Sequence, residues 1–361
     1  MGKRTIIPFG PQHPVLPEPI HLDLVMEDET VVEAIPSIGY VHRGLEKLVE
    51  KKEYTEMVYV IERVCGICSF GHGWGYCASV EKAMGIEIPA RANYLRTIWH
   101  ELSRVHSHLL WLGLLADGFA FDSLFFHIWK LRESVLDLFE KTTGGRVIFS
   151  VCKVGGVNKD IDNATLKEIV DTLNGIKDEI KELTDVFMTD DSVKNRLCGV
   201  GVLTKEDAIE LSAAGPVARG SGVYQDMRIN GPGVYHELNF EPCIEEGGDS
   251  YARCMVRIRE VFQSIDLIEQ AVAKIPDGPI ETKVPANAVV DGEGTIRLEQ
   301  PRGEGFYYAK GVGSKFLERI RVRTPTNMNI PALVKMLQGC DLADVPMLVL
   351  TIDPCISCTE R

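Results

Sequence analysis

No run of apolar residues in this sequence is long enough to cross a bilayer. The most apolar stretch, "LLWLGLLADGFAF", holds only eight residues before Asp117 interrupts it, against the ~20 that a spanning helix requires. A targeting segment is also missing. "MGKRTIIPFGPQHP" has two early basic residues, but prolines break it before an apolar segment can form. Positive charge is in short supply: 39 Lys and Arg stand against 52 Asp and Glu, giving a net charge of −13 and a pI near 5.3. Nothing supplies the basic patch that nucleic acid requires. No internal repeat, low-complexity tract or linker interrupts the chain. The 361 residues are therefore read as one domain, residues 1–361, of a soluble or peripheral protein on the cytoplasmic side.

What is present is an ordinary core: 45% apolar and 25% charged residues, the balance of a chain that can bury its interior. "HLDLVMEDETVVEAIPS" alternates about an acidic turn and reads as an antiparallel hairpin. Residues 53–63 read as a short helix. Helical spacing then runs from Ala92 to Ala116, from Phe125 to Thr142, after the capping candidates Asp162 and Asn163, and from Tyr251 to Val272. Beyond Ile280 the pattern changes to short strands and turns, followed by a helix after Pro331. The predicted class is α+β, mainly α: a central bundle of long helices with small antiparallel β regions from the N- and C-terminal parts.

The ten cysteines do not make a disulfide scaffold in a cytoplasmic chain of this length. Six of them (Cys77, Cys152, Cys198, Cys243, Cys254 and Cys340) are scattered singly and read as small buried hydrophobes. The other four form two CxxC pairs, Cys65/Cys68 and Cys355/Cys358, near the two ends of the chain. Four thiolates converging on one ion make a tetrahedral sulfur site, for which structural zinc is the plain reading. A redox dithiol is the other. Zinc ribbons usually set their CxxC halves about 15–20 residues apart, whereas here nearly the whole chain separates them.

The flanks are more specific. Arg63-x-Cys65-Gly-x-Cys68-x-x-x-His72, answered by Asp353-Pro354-Cys355-x-x-Cys358-x-x-Arg361, resembles the two metal-binding signatures of the [NiFe]-hydrogenase large subunit. "PFGPQHPVLPEPIHLDL" and "GYVHRGLEKL" resemble the branch shared by energy-converting hydrogenases of the Ech and carbon-monoxide-induced type and the quinone-site subunit of respiratory complex I. The resemblance covers essentially the whole chain. Complex I relatives lack the cysteine quartet, which this sequence retains.

The resemblance implies a NiFe(CN)2(CO) centre, with Cys65 and Cys355 as terminal nickel ligands and Cys68 and Cys358 bridging nickel and iron. A terminal thiolate such as Cys355 can take the proton. His72 would hydrogen-bond a bridging thiolate. Arg302 in "QPRGEG" would hang over the metals, paired with Asp117, and Pro325 and Thr326 in "RTPTN" would face a cyanide. Glu18 in "LPEP" matches the family's proton-relay glutamate. Glu46 matches a glutamate that, in relatives, holds a separate Mg or Fe ion together with a terminal His. Arg361 takes that His position here, and the second metal stays open. For His106 a satisfied core histidine is preferred, and His106 and His108 do not share one helix face.

In the family a precursor extension is cleaved by a maturation endopeptidase at the position of Arg361, which would make the chain mature. The implied partners are a small subunit with a [4Fe-4S] cluster, a ferredoxin-like Fe–S subunit, membrane antiporter-like and anchor subunits, and ferredoxin. Fe–S clusters would lie only in those subunits, because no further cysteine motif remains in this one. The implied activity is H2 evolution or oxidation coupled to ferredoxin and to ion translocation by partner subunits. The alternatives are a complex I-like quinone or sulfur reductase subunit and a structural zinc protein with a four-cysteine site.

Overall fold

The computed structural model describes residues 4–16 and 18–361. Strands β1 (Arg4–Phe9), β2 (His21–Glu27) and β3 (Thr30–Ser37) form an antiparallel sheet in that order. Short helices α1 (Leu45–Val49) and α2 (Val58–Glu62) lead to α3 (Ser69–Met84), α4 (Ala90–Gly118) and α5 (Asp122–Thr143). After the two-residue ladder β4 (Cys152–Lys153) and β5 (Gly156–Val157) come α6 (Asn163–Thr189), α7 (Asp191–Leu197), α8 (Lys205–Glu210) and α9 (Pro216–Arg219). Helix α10 (Ser250–Lys274) precedes the antiparallel sheet β6 (Val290–Gln300), β7 (Gly303–Ser314) and β8 (Leu317–Arg323). Helices α11 (Pro325–Leu337), α12 (Val345–Thr351) and α13 (Ile356–Glu360) close the described chain.

The four anticipated long helices are α4, α5, α6 and α10, and the mainly helical α+β class is the observed one. Asp162 caps α6 by accepting from the Thr165 amide at 2.7 Å, and Asp249 caps α10 from Ala252 at 2.8 Å. Helix α4 is buried almost all round, packed between α5 and α10. Several of its charged residues are paired inside the protein: Arg96 forks onto Glu81 at 2.7 and 2.9 Å, and His108 bonds Glu260 at 2.9 Å. His106 instead meets Arg132 of α5 at 3.1 Å. The two histidines thus leave α4 toward different helices.

Two expectations are corrected. The last long helix starts at Pro325, with Pro331 inside it, and not after Pro331. A proline at the first helical position forfeits no hydrogen bond there. Of the single cysteines, Cys77, Cys152, Cys243 and Cys254 are buried, but Cys198 is exposed and Cys340 only half-buried.

Two apolar clusters organise the packing. The larger spans α3–α6, α10 and the second sheet. The smaller joins Leu22, Leu24 and Val31 of the first sheet to Leu333, Leu348 and Ile356 of α11–α13. The smaller cluster brings the two ends of the chain together.

Candidate metal centre

The first CxxC pair sits in the turn between α2 and α3, with Cys68 as the residue preceding α3. The second sits between α12 and α13, with Cys355 preceding α13. Cys65 Sγ lies 3.3 Å from Cys355 Sγ, and Cys68 Sγ lies 3.5 Å from Cys358 Sγ. All four are buried. Within each loop the sulfur of the first cysteine accepts from the amide of the second, at 3.4 Å in both cases. These amide dipoles stabilise a thiolate.

The sulfurs perturb one another. Burial works to raise the Cys68 thiol, but hydrogen bonds from Cys355, Cys358 and Cys65 outweigh it and hold the group well below the usual thiol range. Cys358 is pushed well above that range by burial and by Cys355, Cys65 and Cys68. Four thiolates this close repel one another, so a cation is what lets them coexist.

His72 lies on the first turn of α3, fully buried. Its Nε2 is 3.3 Å from Cys358 Sγ and its Nδ1 is 3.0 Å from the Tyr307 hydroxyl. Gln300 donates its amide to the Tyr307 oxygen. Tyr307 therefore donates its O–H to Nδ1, which leaves Nε2–H to donate to sulfur. Tyr307 and Gln300 were not anticipated. They come from the facing sheet, and only the β6–β7 register brings them to α3.

Arg302 occupies the two-residue turn between β6 and β7, whose last and first residues Gln300 and Gly303 pair. That turn is held from below by α4: His100 Nε2 and Arg104 Nη2 each lie 2.7 Å from the Glu299 carbonyl oxygen. Gly215 meets the same turn, and a Cβ there would stand 2.4 Å from the Arg302 carbonyl oxygen. Arg302 donates Nε to the Asp353 carbonyl at 2.9 Å, and its Nη2 pairs with Asp353 Oδ1 at 2.9 Å. Its Nη1 is buried with no partner. The expected pairing with Asp117 is not formed. Asp117 is exposed in the last turn of α4, and the carboxylate that meets Arg302 is Asp353.

The Thr326 hydroxyl accepts from the Cys355 amide at 3.0 Å, next to buried Pro325 at the start of α11. Glu18 accepts from the amides of Ile356 and Ser357, the latter at 3.1 Å, and from the Ser357 hydroxyl at 2.5 Å. It thus grips the loop between Cys355 and Cys358. Glu46 accepts from Arg361 Nε at 2.9 Å, Arg321 Nη1 at 2.8 Å and the Val322 amide at 2.9 Å. Where a second ion was left open, arginines supply the positive charge. Arg43, also unanticipated, links both arms by donating to the Val64 and Ser357 carbonyls at 2.9 and 3.1 Å.

Sequence comparison meets this geometry at both ends of the chain. Residues 43–117 match the family "Nickel-dependent hydrogenase", and residues 119–291 and 285–361 match "Respiratory-chain NADH dehydrogenase, 49 Kd subunit". The membrane-bound hydrogenase subunit alpha of Pyrococcus furiosus is 39% identical over 98% of this chain and 87% of its own. The chain belongs to this family. The carbon monoxide-induced hydrogenase of Rhodospirillum rubrum is also 39% identical, over 98% of this chain and 99% of its own. A solved structure of the membrane-bound sulfane sulfur reductase, an archaeal respiratory membrane complex, superposes with a TM-score of 0.94 at 31% identity, covering 99% of this chain and 98% of that one. The family is thus one of oxidoreductase subunits of membrane complexes, and its members differ in what they reduce. Among the described residues of this chain, no helix is long and apolar enough to cross a membrane.

Proposed function

We propose that this chain is the catalytic subunit of a membrane-associated, energy-converting [NiFe] hydrogenase that exchanges electrons with ferredoxin through Fe–S clusters of partner subunits. The observation that carries this reading is the meeting of the two cysteine pairs, at 3.3 and 3.5 Å, beneath an arginine with one buried nitrogen left unbonded. The donor set fits the group. Thiolates suit a soft, redox-active metal, and the free Arg302 Nη1 calls for an acceptor inside the site. A closed zinc site of four cysteines offers no such acceptor beyond its own sulfurs. Cys65, Cys68, Cys355 and Cys358 would hold the nickel–iron group.

When bound, the group would supply heterolytic splitting and formation of H2. The chain's own residues do the rest. Cys355 takes up the proton at Sγ. Glu18, bonded to the two residues that follow Cys355, carries it outward; the Ser357 hydroxyl can turn from donor to acceptor as that carboxyl fills. His72 donates to Cys358 and fixes its orientation, as a bonded partner does for a metal ligand. Arg302 would offer its free Nη1 to an acceptor of the bound group.

Protein matured in its native host should hold nickel and iron near one to one and show infrared bands of CO and CN⁻. Zinc in place of both metals, without such bands, would end this reading. A second reading, reduction of a sulfur substrate, is favoured by the likeness to the sulfane sulfur reductase. Proton–deuterium exchange with H2 separates the two, since only a hydrogenase catalyses it.

A further inference from the structure

Two roles are open to His72 at the centre. Its ring and the sulfurs of Cys68 and Cys358 have donor atoms within 4.8 Å of one another, close enough to share one ion. Its Nε2 is also 3.3 Å from Cys358 Sγ, close enough to donate to that sulfur instead. Which role an imidazole nitrogen takes is set by the bond that the other nitrogen makes. A ligating histidine gives its remaining N–H to an acceptor, usually a carboxylate or a carbonyl. Here Nδ1 faces a hydroxyl instead, that of Tyr307 at 3.0 Å.

A hydroxyl can give or accept a proton, so the next member of the chain decides. Gln300 donates its amide to the Tyr307 oxygen, and its own Oε1 is buried without a partner. Turned over, the amide would leave its nitrogen at that place with no acceptor, and a buried N–H is the rarer orphan. The Tyr307 proton is therefore left for Nδ1. Gln300, Tyr307 and His72 are all fully buried, so bulk water does not compete. The seat is also shaped for the pair. Gly303 and Gly305 stand opposite Gln300 and Leu298, so on that face of β7 no side chain projects before Tyr307. A Cβ on Gly305 would stand 3.1 Å from the Tyr307 ring and 3.2 Å from the Gln300 amide nitrogen, and one on Gly71 of α3 would stand 3.3 Å from Gln300 Cγ.

We propose that Tyr307, held by Gln300, is a positioning residue of the metal centre: its O–H occupies Nδ1 of His72, so that Nε2 keeps its proton, donates to Cys358 and stays off the metal. The inference rests on the hydrogenase reading for its effect on the centre, whereas the place of the proton on His72 stands apart from that reading. Only Pro301 separates Gln300 from Arg302. One hairpin thus carries both the arginine beside the cysteine pairs and the residues that set the histidine.

The test uses the matured complex, with isotope-labelled histidine, as the parent and as Tyr307→Phe, Gln300→Leu and the double variant. Nitrogen resonances of His72, assigned by their loss in His72→Gln, should show the parent proton on Nε2 and a hydrogen-bonded Nδ1. In Tyr307→Phe, which loses one oxygen and keeps the ring, the Nδ1 resonance should move to that of an unbonded nitrogen. The variant should keep its nickel and iron. Its CO and CN⁻ bands should shift, because a looser N–H bond leaves more electron density on the Cys358 sulfur. Its kcat for H2 evolution should fall about tenfold, the lower end of what such outer partners contribute, with KM for the electron donor unchanged. Gln300→Leu should shift the bands the same way and by less. The double variant should shift them no further than Tyr307→Phe, because Gln300 acts through the Tyr307 oxygen. A parent proton on Nδ1, unshifted bands in metallated Tyr307→Phe, or additive shifts overturn the proposal. If Tyr307→Phe does not accumulate, unshifted bands in Gln300→Leu do the same. Parent protein without nickel and iron would sink the hydrogenase reading instead, and the His72 resonances of that same chain still decide where the proton sits.

Discussion

Glu18 holds the loop between the last two cysteines and carries no charged partner of its own among the described contacts. Its hydrogen bonds come from two backbone amides and the Ser357 hydroxyl. Glu18→Gln keeps the oxygen that these amides need, and its amide can donate to Ser357. The variant should assemble with its metals and infrared bands intact. H2 evolution and exchange with solvent protons should fall by at least about a hundredfold, the lower part of what positioned proton transfer contributes. Near-normal turnover in fully metallated Glu18→Gln would exclude it as the relay. At this scale the sequence was legible where a residue's place in the cluster is tied to local spacing. The cysteines read from CxxC, and His72 from its place one helical turn after Cys68. Glu18, Arg302 and Thr326 were named only through the family resemblance, and residues that reach the cluster through a distant partner without such a motif were not readable. Tyr307 and Gln300 reach the site through sheet register, and Arg302 meets Asp353 and not Asp117 because α12 ends beside the hairpin turn.

At the scale of elements, α4, α5, α6 and α10 announced themselves by apolar periodicity, whereas α3 did not. Its start reads "SFGHGWGYCASV", in which three glycines at every second position hide the helix, because glycine is a poor helix former. The structure explains them by close approach. A Cβ on Gly73 would lie 2.6 Å from Glu62 Oε1, and one on Gly75 would lie 2.3 Å from the Tyr307 ring. Glu62 is itself so enclosed that burial pushes its carboxyl up to about 7. Gly75→Ala should therefore cost about 1–3 kcal/mol from overpacking. It should also displace Tyr307 from His72 and lower metal content. Gly175, inside α6, has nothing within 4 Å, so Gly175→Ala should stabilise by roughly 0.5–1 kcal/mol through backbone entropy and helix propensity. Thermal unfolding of the two variants checks both signs. Equal effects would mean that propensity, and not contact, decides at these positions.

On the scale of the whole molecule, the paired sulfurs are 290 residues apart in sequence, and a chain end is ordinarily the part that frays. Here it is tied from several directions. Glu18 holds Ile356 and Ser357. Arg43 holds the Ser357 carbonyl. The Glu360 carboxylate accepts from the amides of Gly39 and Val41, both at 2.5 Å, and Arg361 pairs with Glu46. Ile356 is buried in the cluster shared with the first sheet. The metal would add the strongest tie, since it binds only the closed arrangement and stabilises that arrangement by mass action. Residues 353–361 should therefore behave as a separately opening unit whose free energy of opening depends on the metal. Hydrogen exchange followed residue by residue reads this directly. In the metallated complex the amides of Ile356 and Ser357 should be protected. On metal removal they should exchange at least about tenfold faster, the effect of losing ~1.4 kcal/mol from local opening, while amides in the middle of α10 keep their rates. Terminal amides that exchange freely with the metal in place would show that the side-chain ties do not hold the segment. Terminal amides that stay fully protected without metal would show that those ties suffice by themselves, and that the centre is bound by a tail already closed.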